Sequence, residues 1–149
     1  MIEIISNEEF LTFKAPLLET NKVLETNRFY PKDIVQEAID KLIDRIKAKE
    51  LCGELCSPMP KTPSRHLTVL YKEASHIICD VEWDGDTLIG TMETLNNNCG
   101  NIVKNLILNG LPVIFILRSM CETRHHKDGY NIVVEPLHLV TWDCNLDFK

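Results

Sequence analysis

The chain has 149 residues, of which 44% are hydrophobic and 26% charged, a size and balance that fit one ordinary domain with one core and exclude disordered and fibrous classes. Its formal charge of −6 argues against general attraction to nucleic-acid phosphates or anionic membranes, both of which need clustered Lys and Arg. No apolar run approaches the roughly 20 residues that span a bilayer, and Met1-Ile2-Glu3-Ile4 lacks the basic flank of a signal peptide, so a soluble cytoplasmic protein is expected.

Ile2–Ile5 and Phe10–Leu18 read as short strands, with Pro16 pointing to a sheet edge or a break. Tyr30-Pro31 then opens a helix. Proline suits a first turn because its missing N–H has no partner to lose, and Ile34, Val35, Ala38, Ile39, Leu42, Ile43 and Ile46 recur at three-to-four spacing. One helix is predicted over residues 32–49, with Lys32, Asp33, Glu37, Asp40, Lys41, Asp44 and Lys47 on its solvated face.

Strands follow at Leu51–Leu55, His66–Tyr71, Ser75–Trp83 and Thr87–Thr94, with Asp84-Gly85 as a turn. Asn96-Asn97-Asn98 caps a second helix whose stripe is Ile102, Val103, Leu106 and Ile107, and Gly110 supplies a left-handed stop. Val113–Arg118, Tyr130–Glu135 and Leu137–Trp142 are the last strands, with Asp128-Gly129 turning into Tyr130. This pattern has no repeat, linker or low-complexity segment and predicts a single β-rich α+β domain over residues 1–149. Short antiparallel strands that close on themselves remove exposed edges, so a mainly antiparallel barrel flanked by about two helices is the expected architecture.

Gly53-Glu54-Leu55-Cys56-Ser57-Pro58, Ser75-His76-Ile77-Ile78, Trp83-Asp84-Gly85, the run from Gly100 to Gly110 and the apolar strand ending in Arg118 come in a telling order. Their order and spacing resemble the prohead maturation proteases of tailed bacteriophages, from Asn27-Arg28-Phe29-Tyr30-Pro31 to about Asp143. The resemblance implies a barrel like that of herpesvirus assembly proteases, with catalytic groups on neighbouring strands. In that family the first segment reads Gly-Glu-Leu-(Asp/Asn)-His-Pro, and its histidine is the general base. Ser57 stands in its place here. The family's Ser-Ser-Arg-Gly corresponds to Ile116-Leu117-Arg118-Ser119, so Leu117 stands at the nucleophile position and neither serine is present. A serine is a poor nucleophile without a hydrogen-bonded base, and losing either member removes most of the catalysis. No catalytic residue is therefore expected at these stations.

Several other residues are weighed as sites. Ser57 can donate a hydrogen bond but is no base at neutral pH. Ser57 and Ser119 are displaced nucleophile candidates, with His66 or His76 as the base. His76 otherwise reads as a hydrogen-bonded structural histidine in an apolar strand. Arg118 matches the arginine that follows the family nucleophile, where it could stabilise an oxyanion, but reads more simply as an arginine ending an apolar strand. Cys56 and Cys121 are considered as thiolate nucleophiles, although no local signature supports them. The six cysteines otherwise read as small buried hydrophobes. Cys52 and Cys56 lack a second pair at zinc spacing, and His125-His126 suits an exposed hairpin tip, so neither metal nor cofactor is expected. Asp143 is assigned as a structural carboxylate.

Together the resemblance and the substituted positions imply a phage-encoded, inactive protease-like domain that binds capsid or scaffold proteins and self-associates as a homodimer. Such a domain would work in the host cytoplasm or on the virion. Two alternatives stay open: an active maturation endopeptidase with a displaced nucleophile, and a binder that neutralises a host factor.

Overall fold

Strict alternation of apolar side chains drives the chain into sheets. In β2 (Leu11–Glu19), Leu11, Phe13, Ala15 and Leu17 are all buried while the residues between them reach toward the surface. β5 (Ala74–Asp84) and β6 (Thr87–Thr94) form a hairpin whose turn is Gly85-Asp86, one residue on from the expected Asp84-Gly85, and β6 pairs with β2. With β1 (Glu3–Asn7) and β4 (Cys52–Glu54) they make a five-stranded sheet in the order β1-β2-β6-β5-β4. β3 (Arg28–Phe29), β7 (Val113–His125) and β8 (Asn131–Leu146) make a second sheet in the order β3-β8-β7. This computed structural model describes residues 1–59 and 62–147.

The two sheets join where β4 runs out beside β8. Cys56 N–H donates to the Cys144 carbonyl at 2.7 Å, and Leu55 makes a parallel bridge to Cys144. The core lies between the sheets. Its centre is Trp142 of β8, fully buried, whose indole N–H donates to the Leu17 carbonyl of β2 at 3.0 Å. Phe13 and Phe115 meet across the same space with ring centroids 5.6 Å apart.

The β-rich α+β class expected from the sequence is what the chain adopts. Its hydrogen-bonded ladder is two sheets rather than a closed barrel. Among the described residues β7 pairs only with β8 and β1 only with β2, which leaves a seam between β7 and the β1–β2 hairpin. The helices number four rather than two, among the described residues. The helix expected over 32–49 divides into α1 (Lys32–Asp40) and α2 (Ile43–Lys47). At the join Leu42 N–H bonds Ile39 at i−3, a tighter turn that keeps Leu42 and Ile46 buried on the same side.

The segment expected as strand His66–Tyr71 holds α3 (Pro63–Leu67) and a 3-10 turn at Tyr71–Glu73. Thr62 caps α3 by accepting from Arg65 N–H, and Pro63 occupies its first turn, signals outweighed in the sequence by the mixed apolar pattern of residues 66–71. β8 runs unbroken through Pro136 because the register shift between Met120 and Glu122 makes a bulge, where no ladder N–H is needed. Likewise Pro16 sits inside β2, beyond Lys14 where pairing with β1 ends and beside a register shift against β6. α4 (Asn98–Leu108) begins at Asn97, whose side chain accepts from Gly100 N–H at 2.7 Å, and it ends at Gly110 with φ +72°.

Gly53 fixes how closely β4, β5 and β8 meet. A Cβ there would lie 2.0 Å from the Trp142 carbonyl oxygen and 2.2 Å from His76 Nε2, on top of the 2.8 Å hydrogen bond between those two atoms. Gly53→Ala should therefore break that bond and lower the unfolding free energy by about 2–4 kcal/mol in urea titrations. An unchanged midpoint would contradict this packing.

Candidate functional site

A buried arginine organises the face of β7–β8 that points away from Trp142. Arg118 donates through Nε to Asp143 Oδ2 at 3.0 Å and through Nη2 to Asp143 Oδ1 at 2.9 Å, a two-pronged grip on a fully buried carboxylate. Nη2 also meets Glu54 Oε2 at 2.8 Å. Nη1 donates to the carbonyls of Thr68 at 2.8 Å and His66 at 3.3 Å. Glu54 is shared with Arg65, whose Nη1 reaches Oε2 at 2.9 Å and whose Nη2 reaches Oε1 at 2.5 Å. Glu54 N–H donates to Asp143 Oδ1 at 3.0 Å, which closes the network on its own backbone.

Burial alone raises both carboxyls. For Glu54 the hydrogen bonds from Arg65 and Arg118 outweigh burial and hold it below the ordinary carboxylate range. Asp143 has one guanidinium and one backbone N–H, which do not offset its burial, and it stays above its ordinary value.

Ser57 lies at one end of this face. Its N–H donates to Asn145 Oδ1 at 2.9 Å, and its hydroxyl is 3.5 Å from the same oxygen. Asn145 lies two residues along β8 from Asp143, and the cross-strand partner of Asp143 is Ile116. Directly opposed residues project from the same face, so Ile116 shares the face of Asp143 and Arg118. Leu117 is opposed to Trp142 and packs against the core. Ile116 and Leu117 therefore project from opposite faces of the strand, one beside the ion network and one against the core.

The histidines are engaged elsewhere. His76 is fully buried, with Nε2 at 2.8 Å from the Trp142 carbonyl and Nδ1 at 2.8 Å from Ser75 Oγ. A carbonyl only accepts, so Nε2 carries the proton and Nδ1 accepts from the Ser75 hydroxyl. This Ser–His pair is aligned for proton transfer, yet both residues have no exposed surface. Burial pushes His76 down to about 4, which makes it a weak base as well as an inaccessible one.

His66, carried on α3, comes to Ser119, but to its backbone: Nε2 donates to the Ser119 carbonyl at 2.8 Å. His125 bonds the Asn131 side chain, and His126 stacks on Tyr130 with centroids 4.4 Å apart. Cys56 is exposed with φ +67°, and Cys121 is half-buried beside Arg28; neither has a histidine hydrogen bond among the described residues. No group of three or more His, Cys, Asp or Glu among the described residues is placed to hold a metal ion.

The prohead core protein serine protease family matches residues 8–143. The chain belongs to that family. Its fold is similar to the capsid assembly protease of bacteriophage T4, with a TM-score of 0.82 over 97% of this chain and 95% of that chain, at 23% identity. A search of curated proteins finds no match.

Within this prohead protease domain, sequence reasoning missed the network that dominates the site. Arg118 does not end a strand, because β7 continues to His125, and its side chain is buried rather than a surface terminus. Arg65 was not singled out at all. The signal available was the cost of burying charge: Glu54 and Arg118 each sit inside an apolar strand segment, which is tolerated only when charges are paired.

Two measurements test this description. Arg118→Met leaves Glu54 with Arg65 alone and Asp143 without a counter-charge, so stability should fall by about 3–5 kcal/mol, with Arg118→Lys in between because it cannot make the two-pronged bond. His76 has a folded pKa below its unfolded value, so the unfolded chain takes up a proton first as pH falls. The stability present above about pH 6.5 should decline by roughly 2 kcal/mol at pH 5 and roughly 3 kcal/mol near pH 4. A flat urea midpoint from pH 7 to 5 would contradict that assignment.

Proposed function

We propose that this prohead-protease-like domain is catalytically inactive and acts by binding other proteins during phage head assembly, in the cytoplasm of the host or on the assembling virion. The observation that carries the reading is the pairing at the family's stations: a hydroxyl at the base position, Ser57, and aliphatic side chains at both serine positions, Ile116 and Leu117. Acyl transfer needs a nucleophile, a base within hydrogen-bond reach and donors aimed at the developing oxyanion. Among the described residues the one hydroxyl hydrogen-bonded to a histidine is Ser75, which no substrate reaches. Arg118, which could have served an oxyanion, has Nε, Nη1 and Nη2 all committed to protein acceptors.

Binding is supported by the seam between β7 and β1–β2. It forms an open groove of about 700 Å³ lined by residues such as Ile4, Leu17, Leu24, Ile107, Leu111 and Leu117. Among the described residues Glu19 is the one charged side chain on its wall. A free strand edge beside an apolar groove suits an extended protein segment, whose backbone pairs with the edge while its side chains fill the groove. Capsid and scaffold proteins are the partners proposed.

Incubation of the purified protein with the co-encoded scaffold and capsid proteins should give a complex that co-elutes on gel filtration and no new fragments by mass spectrometry. Leu111→Glu should weaken the complex at least tenfold while leaving the unfolding free energy within about 1 kcal/mol. Cleavage that disappears on changing Ser57, Ser119, Cys56 or Cys121 to Ala would overturn inactivity. A host enzyme as the dominant partner would redirect the binding role.

A further inference from the structure

We propose that Thr62–Thr68 is a polar latch that opens and recloses over Arg118 while the two sheets stay folded, with the Arg65–Glu54 pair as its clasp. This goes beyond the binding role and does not depend on it.

The segment has the composition of a detachable unit. No residue of α3 is buried, Leu67 is 43% exposed, and none of its side chains belongs to the core. It is consistent within itself: Thr62 caps Arg65 N–H, and Thr68 Oγ1 donates to the Ser64 carbonyl at 2.7 Å. Its attachments to the rest of the site are polar. They are the Arg65 guanidinium on Glu54, the carbonyls of Arg65, His66 and Thr68 on Arg118 Nη1, and His66 Nε2 on the Ser119 carbonyl. Segments that bury little apolar surface open at free energies well below that of global unfolding.

Opening also leaves nothing charged stranded in the interior. Glu54 keeps Arg118 Nη2 at 2.8 Å and Leu70 N–H at 3.3 Å, and Arg118 keeps both bonds to Asp143. The groups released on the sheets are Arg118 Nη1, one Glu54 oxygen and the Ser119 carbonyl, and they gain water as they lose the latch. The large penalty for breaking a buried ion pair is thereby reduced, because Arg65, the partner that leaves, has its side chain 27% accessible and Glu54 keeps Arg118. What opening uncovers is a guanidinium edge on the face that carries Ile116.

Hydrogen exchange of the full chain, read by mass spectrometry in 0 to 2 M urea, tests the latch. In the native protein, amides of residues 62–68 should exchange at least a hundredfold faster than those of β7 and β8 and with no dependence on low urea, whereas β7 and β8 should follow global unfolding. Arg65→Gln should speed exchange of 62–68 a further fivefold or more and leave β7 and β8 within twofold. Protection of 62–68 equal to β8 in the native protein would overturn the proposal. So would uniform acceleration across β7 and β8 in Arg65→Gln, since Arg65 would then be holding the sheets. His66→Gln provides an independent variant at the second attachment and should show the same confined acceleration.

Discussion

The guanidinium of Arg118 is the point on which this architecture closes. It reaches Glu54 at the end of β4, Asp143 near the end of β8 and the His66 and Thr68 carbonyls at the end of α3, so one side chain from β7 joins both sheets and their covering segment. An arginine does this where a lysine could not, because its planar fork offers several donors in fixed directions. Charge buried at this depth is tolerated only when every donor finds an acceptor, and no buried side-chain nitrogen or oxygen among the described residues lacks one.

On the opposite face of the same strands the organising contact is neutral. His76 sits between Ser75 and the Trp142 carbonyl, edge-on to Phe115 with centroids 5.0 Å apart, and Gly53 leaves the space that the ring occupies. The domain thus has a charged clamp outside and a polar clamp inside, both anchored on β4 and β8. Neither depends on Ile116 or Leu117. The closure of the scaffold is therefore independent of the side chains at positions 116 and 117.

Much of the fold could be read from local pattern. The stripe from Val35 to Ile46, the Asn97 cap, the stop at Gly110 and the turn at Gly85 are all written within a few residues of where they act. What escaped reading is what arises between distant segments. Glu54 and Arg118 are 64 residues apart, and Ser57 and Asn145 are 88 apart, so no spacing rule links them. α3 was hidden for a different reason. Its Thr62-Pro63 start is a local signal, but a helix of five residues has no room for a repeating stripe, and Leu67 and Val69 imitate strand alternation. The candidate stations themselves were legible only as identities. That Ile116 faces the ion network while Leu117 faces Trp142 required the register of β7 on β8.

Among the described residues the thirteen of β7 pair on one side only, and the two halves of that strand are built differently. Val113 to Leu117 is aliphatic and aromatic, whereas Glu122, Arg124 and His125 are exposed and polar. Charges spaced along an open border discourage indiscriminate stacking of one molecule on the next. The polar half therefore disfavours edge-to-edge stacking of copies, which leaves the short oily stretch at the strand's beginning as the more adhesive part of that border.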